Sequence, residues 1–152
     1  MVLQLGVQNG ILDDKDKQII EMLRKNARIS YTEIARRLGL SDVAVLKRVR
    51  KLEQAGIIKR YTIVLDPKKL GYNTISITGL DVEPENLFKV LEYLKEKEYV
   101  RYLAITSGDH SIITIIWARD SVEMANIHDK LAKLPGVKRV CPAIVLDVLK
   151  EN

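Results

Sequence analysis

Residues 30–56 read SYTEIARRLGLSDVAVLKRVRKLEQAG and contain two helix starts and two helix ends. The motif SYTE at the beginning is a capping box, which favours a helix that continues to Gly39. Ser41 favours the start of another helix, which runs to about Ala55 and ends at Gly56. Because only a short glycine-containing turn separates the two helices, this stretch predicts a helix-turn-helix.

An earlier helix is predicted to support this pair. Asp13, with Asp16 three residues later, favours a helix start, and Lys25-Asn26 favours its end. Apolar residues recur at helical spacing in all three segments, which indicates a shared core. The expected core positions are Ile19, Ile20, Leu23, Ile34, Ala35, Leu38, Val45, Val49 and Leu52.

The segment after the helices separates two regions of the chain. Residues 57–65 are rich in β-prone side chains and predict a strand, whereas residues 66–71 read DPKKLG, which favours a chain break. We therefore expect a helix-turn-helix domain, winged or simple, at residues 1–58, a β-strand linker at 59–71 and a second domain at 72–152.

The second region alternates between strand and helix patterns. Their order, βαββαβ, predicts a ferredoxin-like domain in an α+β protein, with an antiparallel sheet and both helices on one face. Pro142 lacks a backbone N–H, so its strand should lie at a sheet edge or contain a bulge. The expected elements are strands at 72–82, 100–106, 111–118 and 137–149, a helix with its apolar stripe at Leu87, Val90, Leu91 and Leu94, and a helix with Val122, Ile127, Leu131 and Leu134.

The net charge of +5 is confined to the first region. Residues 1–66 contain 13 Lys and Arg against 8 Asp and Glu, whereas residues 67–152 contain 12 of each. Between Arg24 and Arg60 the excess is larger, with 11 basic against 3 acidic residues. Such a concentrated positive field indicates that the first region meets a polyanion and that the neutral region has another task.

The last helix of the first region has an outward face suited to DNA. With its apolar stripe turned inward, a step of about 100° per residue places Lys47 and Arg50 on the opposite side. Such cations pair with guanine acceptors or phosphates, and aliphatic side chains can meet thymine methyl groups. Asp42 would repel phosphate, so it should face a base amino group or bond to a neighbouring side chain. The residues expected to contact DNA are Ser30, Tyr31, Arg36, Arg37, Ser41, Asp42, Val43, Leu46, Lys47, Arg48, Arg50 and Lys51.

The sequence offers no pattern for catalysis or metal binding. His110 and His128 lack cysteines or carboxylates at ligand spacing, and Cys141 is expected to be a small buried residue in a strand. No catalytic residue, metal or cofactor is therefore expected. Neither a signal segment nor an apolar run that could span a membrane is recognisable, which favours a cytoplasmic protein.

Short motifs in both regions match those of one known family. In the first region they are Leu12-Asp13 with Asp16, Asn26-Ala27-Arg28-Ile29-Ser30, Glu33-Ile34-Ala35, Leu38-Gly39-Leu40-Ser41, Val45, Arg48-Val49, Leu52-Glu53, Gly56-Ile57-Ile58 and Asp66-Pro67 with Leu70-Gly71. In the second region they are Ser107-Gly108-Asp109 and Leu134-Pro135-Gly136-Val137. With these motifs the chain resembles the Lrp/AsnC (feast/famine) transcription regulators over residues 12–150.

This resemblance implies homodimers formed through the sheet of the second domain, often assembled into tetramers or octamers. It also implies that a small effector, usually an amino acid, binds near the turn between the second and third strands, here Gly108, Asp109, His110 and Ser111. The family commonly has an acidic residue where this chain has Ser111, and a threonine or serine near Pro142. A different ligand, or none, is therefore an alternative to an amino acid.

The leading hypothesis is a sequence-specific regulator of transcription that binds double-stranded DNA and is not an enzyme. Its dimer would place two recognition helices about one helical turn of DNA, or a multiple, apart on a pseudo-palindromic site. The alternatives are a solvated basic helix without DNA contacts, or an architectural protein that wraps DNA without an effector. A further alternative is an enzyme resembling the sirohaem decarboxylases, which share the two-domain layout.

Overall fold

The structure, a computed structural model, describes residues 12–151, which fold into two compact units. The first unit ends at Val64 and the second begins at Leu65. This division lies inside the predicted linker at residues 59–71, and each unit has its own hydrophobic core.

Three helices make up the first unit: α1 (Asp14–Lys25), α2 (Tyr31–Leu38) and α3 (Asp42–Gln54). Their apolar stripes meet in one core, as the helical spacing predicts, and of the expected positions Ile20 is only partly buried. The buried residues of this core are Ile19, Leu23, Ile34, Ala35, Leu38, Val45, Val49 and Leu52.

The helix ends agree with the sequence except at Ser30. The capping box of Asp13 and Asp16 is formed at the start of α1, and Gly39 ends α2 in left-handed backbone, with a φ of 64°. Ser30 accepts a hydrogen bond from the Glu33 N–H, but the Glu33 carboxylate turns away, so this capping box is only half formed. The reason is that two guanidinium groups offer the carboxylate stronger, charge-assisted bonds.

The strand predicted at residues 57–65 is not formed. The N–H groups of Ile57 and Ile58 both donate to the Leu52 carbonyl and complete the end of α3, and residues 59–66 belong to no helix or strand. A β-strand needs a neighbouring strand for its hydrogen bonds, and the described part of the first unit contains none. The β-prone side chains therefore lie along an irregular segment.

The second unit has the predicted βαββαβ order, and its sheet is antiparallel throughout with the strand order β2-β3-β1-β4. This is the ferredoxin-like arrangement. Short 3-10 turns at Lys68–Leu70 and Pro84–Asn86 precede the first strand and the first helix. The elements are β1 (Thr74–Val82), α4 (Leu87–Lys95), β2 (Val100–Ile105), β3 (Ile112–Ala118), α5 (Ser121–Ala132) and β4 (Val137–Ile144).

One face of the sheet is covered by α4 and α5, and the other is open. Leu80 of β1 and Ile112 and Ile116 of β3 are buried against apolar residues of both helices. Residues on the opposite face keep exposed area, including Ile77 of β1 at 44% and Tyr102 of β2 at 53%. This alternation is typical of an antiparallel sheet with one covered face.

Strand β4 is shorter than the predicted 137–149 and ends at Ile144. Its partner β1 begins at Thr74, and one further bond joins the Val145 N–H to the Ile75 carbonyl. The prediction was wrong beyond this point. The register places Leu146 opposite Thr74, the first residue of β1, so residues 147–149 have no β1 residue to pair with.

The apolar stripe of α5 also differs from the expected one. Val122 is 69% exposed, and Met124 is buried instead. The reason is helical geometry: Val122 is five residues from the buried Ile127, which places the two about 140° apart around the helix. Leu134 lies beyond the end of α5 and is half-buried. Pro142 lies on β4, which is an edge strand, as its missing N–H requires.

Candidate nucleic-acid interface

The outward face of α3 is exposed within the first unit. Val43 is 59% exposed, Leu46 is half-buried, and Lys47 and Arg50 extend into solvent. Within residues 12–151 neither Lys47 nor Arg50 takes part in an ion pair or a side-chain hydrogen bond. The face thus combines two unengaged cations with two aliphatic groups. The other exposed residues predicted on this helix or at its cap are Ser41, Asp42 and Lys51.

Asp42 is engaged by the neighbouring helix. The Thr32 hydroxyl of α2 donates a 2.5 Å hydrogen bond to its carboxylate. Of the two alternatives for Asp42, a base amino group or a neighbouring side chain, the structure shows the second.

Arg48, which is also predicted to contact DNA, is only 29% exposed and is engaged by the start of α1. Its Nη1 lies 2.6 Å from Asp13 Oδ2 and 2.8 Å from Asp16 Oδ1, both at the start of α1. The Asp16 side chain is only 1% exposed, so this guanidinium supplies the counter-charge that a buried carboxylate requires. Arg48 is therefore engaged within the first unit, unlike Lys47 and Arg50, and its contact with DNA stays a prediction.

Arg36 and Arg37 of α2 share one carboxylate, that of Glu33. Arg36 Nε and Nη2 lie 2.9 and 2.7 Å from its two oxygens, and Arg37 Nε lies 2.6 Å from one of them. The hydrogen bonds from Arg36 and then Arg37 lower the pKa of Glu33 to about 2. The arginine side chains are 71% and 53% exposed, so a phosphate can reach them and compete with this carboxylate.

Ser30 and Tyr31 both have structural roles at the start of α2. Ser30 Oγ accepts the Glu33 N–H at 3.1 Å, and Tyr31 packs partly buried against the core of the unit. Helix capping and packing therefore explain why these residue types stand here.

The predicted hairpin turn joins β2 to β3. The Thr106 N–H donates to the Ser111 carbonyl at 3.0 Å, and Gly108 adopts a φ of 117°, which favours glycine. The Ser111 hydroxyl faces β1, at 3.3 Å from the Val82 nitrogen and 3.4 Å from its carbonyl oxygen. Asp109 is exposed.

His110 packs onto the sheet instead of extending into solvent. Its Nδ1 lies 2.8 Å from Asp81 Oδ1, and Arg139 Nε lies 2.6 Å from Asp81 Oδ2. A Cβ on Gly79 would come within 2.3 Å of the imidazole, so the ring fills the space above that glycine. The bonds to His110 and then Arg139 lower the pKa of Asp81 below its ordinary value. Two of the four predicted effector residues, His110 and Ser111, are thus held by the protein itself.

The part of the chain that the structure describes holds no cluster of three His, Cys, Asp or Glu side chains suited to a metal ion. His128 lies 2.9 Å from the Thr78 hydroxyl, and burial lowers the pKa of its imidazole. Cys141 is a free thiol, half-buried in β4. No helix within the described range is long and apolar enough to cross a membrane.

The partners of these side chains were not predicted from the sequence. Glu33 stands three and four residues before Arg36 and Arg37, and this helical spacing could have revealed the ion pairs. The contact of Asp16 with Arg48 joins residues 32 positions apart, and that of Asp81 with His110 joins residues 29 apart. Contacts between residues so far apart along the chain leave no local spacing pattern in the sequence from which they could be predicted.

Two family models match the chain, one for each unit. A winged helix-turn-helix DNA-binding model matches residues 12–59, and the Lrp/AsnC ligand binding domain matches residues 75–152. The HTH-type transcriptional regulator LrpA of Pyrococcus horikoshii is 54% identical over 141 residues, which are 92% of this chain and 100% of that protein.

Solved structures show the same two-domain fold. E. coli AsnC superposes with a TM-score of 0.84 at 28% identity, covering 93% of this chain and 96% of that one. A regulator from Neisseria meningitidis, solved as an L-Met complex, has a TM-score of 0.84 at 22% identity, covering 92% and 93% of the two chains. With the relatives and both family models in agreement, the chain belongs to the Lrp/AsnC family and is a DNA-binding transcriptional regulator.

Proposed function

We propose that the chain recognises specific sequences in double-stranded DNA by placing the outward face of α3 in the major groove. The observation that carries this proposal is the presence of two unengaged cations, Lys47 and Arg50, beside the exposed Val43. The major groove accommodates an α-helix, and each base pair presents a distinct pattern of donors, acceptors and methyl groups there. Lys47 and Arg50 suit guanine acceptors or phosphates, and Val43 and Leu46 suit thymine methyl groups.

Phosphate contacts supply much of the affinity in this proposal. Arg36 and Arg37 provide two of them by exchanging the Glu33 carboxylate for phosphate, and Ser30 and Tyr31 at the start of α2 lie where a helix N-terminus favours an anion. Binding should therefore weaken steeply as the salt concentration rises.

The functional unit in this proposal is a homodimer formed through the open face of the sheet. Exposed apolar side chains such as Ile77 and Tyr102 lie on this face, and an uncovered apolar patch of this kind marks an interaction surface. A two-fold dimer presents two copies of α3 and matches half-sites about 34–36 Å apart, or a multiple of that distance. Tetramers or octamers follow if such dimers associate further.

The second domain is proposed to bind an amino acid or related small molecule near Gly108 and Asp109. The match to a ligand-binding domain supports this, as does the L-Met complex of the Neisseria meningitidis regulator. Because His110 and Ser111 are held against β1, the exposed Asp109 carboxylate is the group left to receive an ammonium ion. A thermal-shift screen of the common amino acids should give a stabilising ligand whose effect is lost in Asp109→Asn. No stabilising ligand, or one unaffected by this change, would contradict the assignment.

Variants of α3 test the DNA contacts. We expect Lys47→Ala and Arg50→Ala each to weaken binding to the best duplex selected from a random pool by about 1–3 kcal/mol. Lys133→Ala, which removes an exposed cation of the second unit, is the control and should bind like the wild type. Unchanged binding by the double α3 variant would show that this face does not contact DNA. Failure of the selection to yield a consensus would favour the architectural alternative.

Regulation in the cytoplasm, rather than catalysis, is proposed for the whole chain. The imidazoles of His110 and His128 are bonded to Asp81 and Thr78, so both are already engaged within the second unit. A shift of the Soret band on mixing the protein with sirohaem would instead support the decarboxylase alternative.

A further inference from the structure

The first turn of α1 holds both helices of the helix-turn-helix. Asp13 and Asp16 contact Arg48 of α3 at 2.6 and 2.8 Å. Between them, Lys15 Nζ donates a 2.7 Å hydrogen bond to the Leu38 carbonyl at the end of α2. Side chains from a single turn therefore fix the last turn of α2 and the middle of α3.

The contact to α3 is specific in its geometry. One oxygen of the buried Asp16 carboxylate accepts the Asp13 N–H at 3.1 Å, and the other accepts Arg48 Nη1 at 2.8 Å. A buried carboxylate that loses its cation stays both desolvated and unpaired, which is strongly unfavourable. Arg48 is therefore confined to one position. Because Arg48 belongs to α3, this contact also limits the rotation of α3 about its own axis.

We propose that Arg48 is a positioning residue for DNA recognition. It contacts no DNA, and by bonding Asp13 and Asp16 it sets the rotation of α3 that directs Lys47 and Arg50 to the base edges. This inference rests on the proposal that α3 reads DNA. Hydrogen bonds to bases tolerate only small errors in distance and angle, whereas non-specific binding requires only charge near the phosphates. Loss of the Arg48 contact should thus weaken specific binding far more than non-specific binding.

Asp13→Asn distinguishes this role from direct contact of Arg48 with a phosphate. Asparagine caps helices as well as aspartate does, so α1 keeps its start, while the ion pair with Arg48 loses its charge. Asp14→Asn is the matched control, since Asp14 lies in the same turn, is 93% exposed and pairs only loosely with Lys17, at 3.7 Å. Both changes remove one negative charge, which by itself favours DNA binding.

Affinities of the full chain are measured for the best duplex from a random pool and for a scrambled duplex of equal length, at a temperature where circular dichroism shows each variant folded. Asp14→Asn should bind both duplexes as tightly as the wild type or more tightly. Asp13→Asn should weaken binding to the selected duplex about threefold and Asp16→Asn about tenfold, as expected when base contacts are lost. Binding to the scrambled duplex should not weaken.

Two further variants complete the test. Arg48→Met should weaken binding to the selected duplex, and Arg48→Lys should weaken it much less. The reason is that one ammonium group can bridge the carboxylates of Asp13 and Asp16, as Nη1 of Arg48 does. Arg48→Met should leave the salt dependence of binding unchanged, whereas loss of a phosphate contact would reduce its slope by about 0.9. Tighter binding of Asp13→Asn and Asp16→Asn to the selected duplex, or a reduced slope in Arg48→Met, would overturn the proposal. Lys47→Ala is measured in the same series. Weaker binding by this variant would show that α3 contacts DNA even if the proposed role of Arg48 is overturned, whereas unchanged binding would show that α3 does not contact DNA through Lys47.

Discussion

Glu33 controls the charge that α2 presents in the free protein. Its carboxylate holds Arg36 and Arg37 together, although both lie in the strongly basic part of the sequence. The sequence predicts that Glu33 completes a capping box with Ser30, whereas in the structure its carboxylate bonds to Arg36 and Arg37. Because the ion pairs are exposed, they bind the arginines weakly enough for phosphate to replace the carboxylate.

We predict that the thermal midpoint of Glu33→Gln depends less on pH in the acid range than that of the wild type. The folded-state pKa of Glu33 is about 2, below the ordinary 4.5, so the ionised group stabilises the protein above about pH 4.5 and this contribution is lost as the pH falls towards 2. Thermal midpoints of the wild type and Glu33→Gln should therefore differ near neutral pH and converge at acid pH. Glu92→Gln, which removes an exposed carboxylate paired with Lys95 alone, is the control for the loss of one negative surface charge. A constant offset between wild type and Glu33→Gln would contradict the assignment.

At the scale of elements, the β2–β3 hairpin is attached to the sheet by a side chain from its own turn. His110 lies over Gly79 and bonds to Asp81, which in turn bonds to Arg139 of β4. The hairpin turn, β1 and β4 are thereby connected through one cluster of side chains. The absence of a side chain at Gly79 is what leaves room for the imidazole.

Gly79→Ala is predicted to destabilise the second unit by about 1–3 kcal/mol, because the new methyl group overlaps the His110 ring and displaces it from Asp81. The double variant with His110→Ala removes the overlap, so it should cost less than the two single changes added together. A double-mutant cycle of unfolding free energies measures this coupling. Additive changes would show that the imidazole is not held above Gly79.

The elements that the sequence predicted correctly depend on neighbours along the chain. The starts of α1 and α3 and the end of α2 follow from capping residues and Gly39, and the buried stripes follow from helical spacing. The strand at residues 57–65 was not formed, because strands depend on partners that a local pattern does not contain. The engagement of Arg48 was missed for a related reason, since Asp16 lies 32 residues away.

At the scale of the whole molecule, charge and apolar surface are divided between the two regions of the chain. The net charge of +5 belongs to residues 1–66, while the open apolar face belongs to the sheet of the second unit. This division fits a protein in which one domain binds DNA and the other binds a second copy of the chain.

We predict that Ile77→Lys disrupts the proposed homodimer. Ile77 is 44% exposed on the open face, and a lysine buried there without a counter-charge would oppose association. Sedimentation velocity should show the wild type as a dimer or larger and Ile77→Lys shifted towards the monomer. Val122→Lys, at a 69% exposed site on α5, is the control and should sediment like the wild type. An unchanged assembly in Ile77→Lys would place the interface elsewhere.

Methylation protection by dimethyl sulfate measures most directly whether α3 lies in the major groove. The reagent reaches guanine N7 in the major groove and adenine N3 in the minor groove, so the two grooves are reported separately. On the selected duplex we expect protected guanines in two clusters about one helical turn, or a multiple, apart, and loss of this protection in the variant carrying Lys47→Ala and Arg50→Ala. Protection confined to adenine N3, or guanine protection that persists in that variant, would contradict recognition by the outward face of α3.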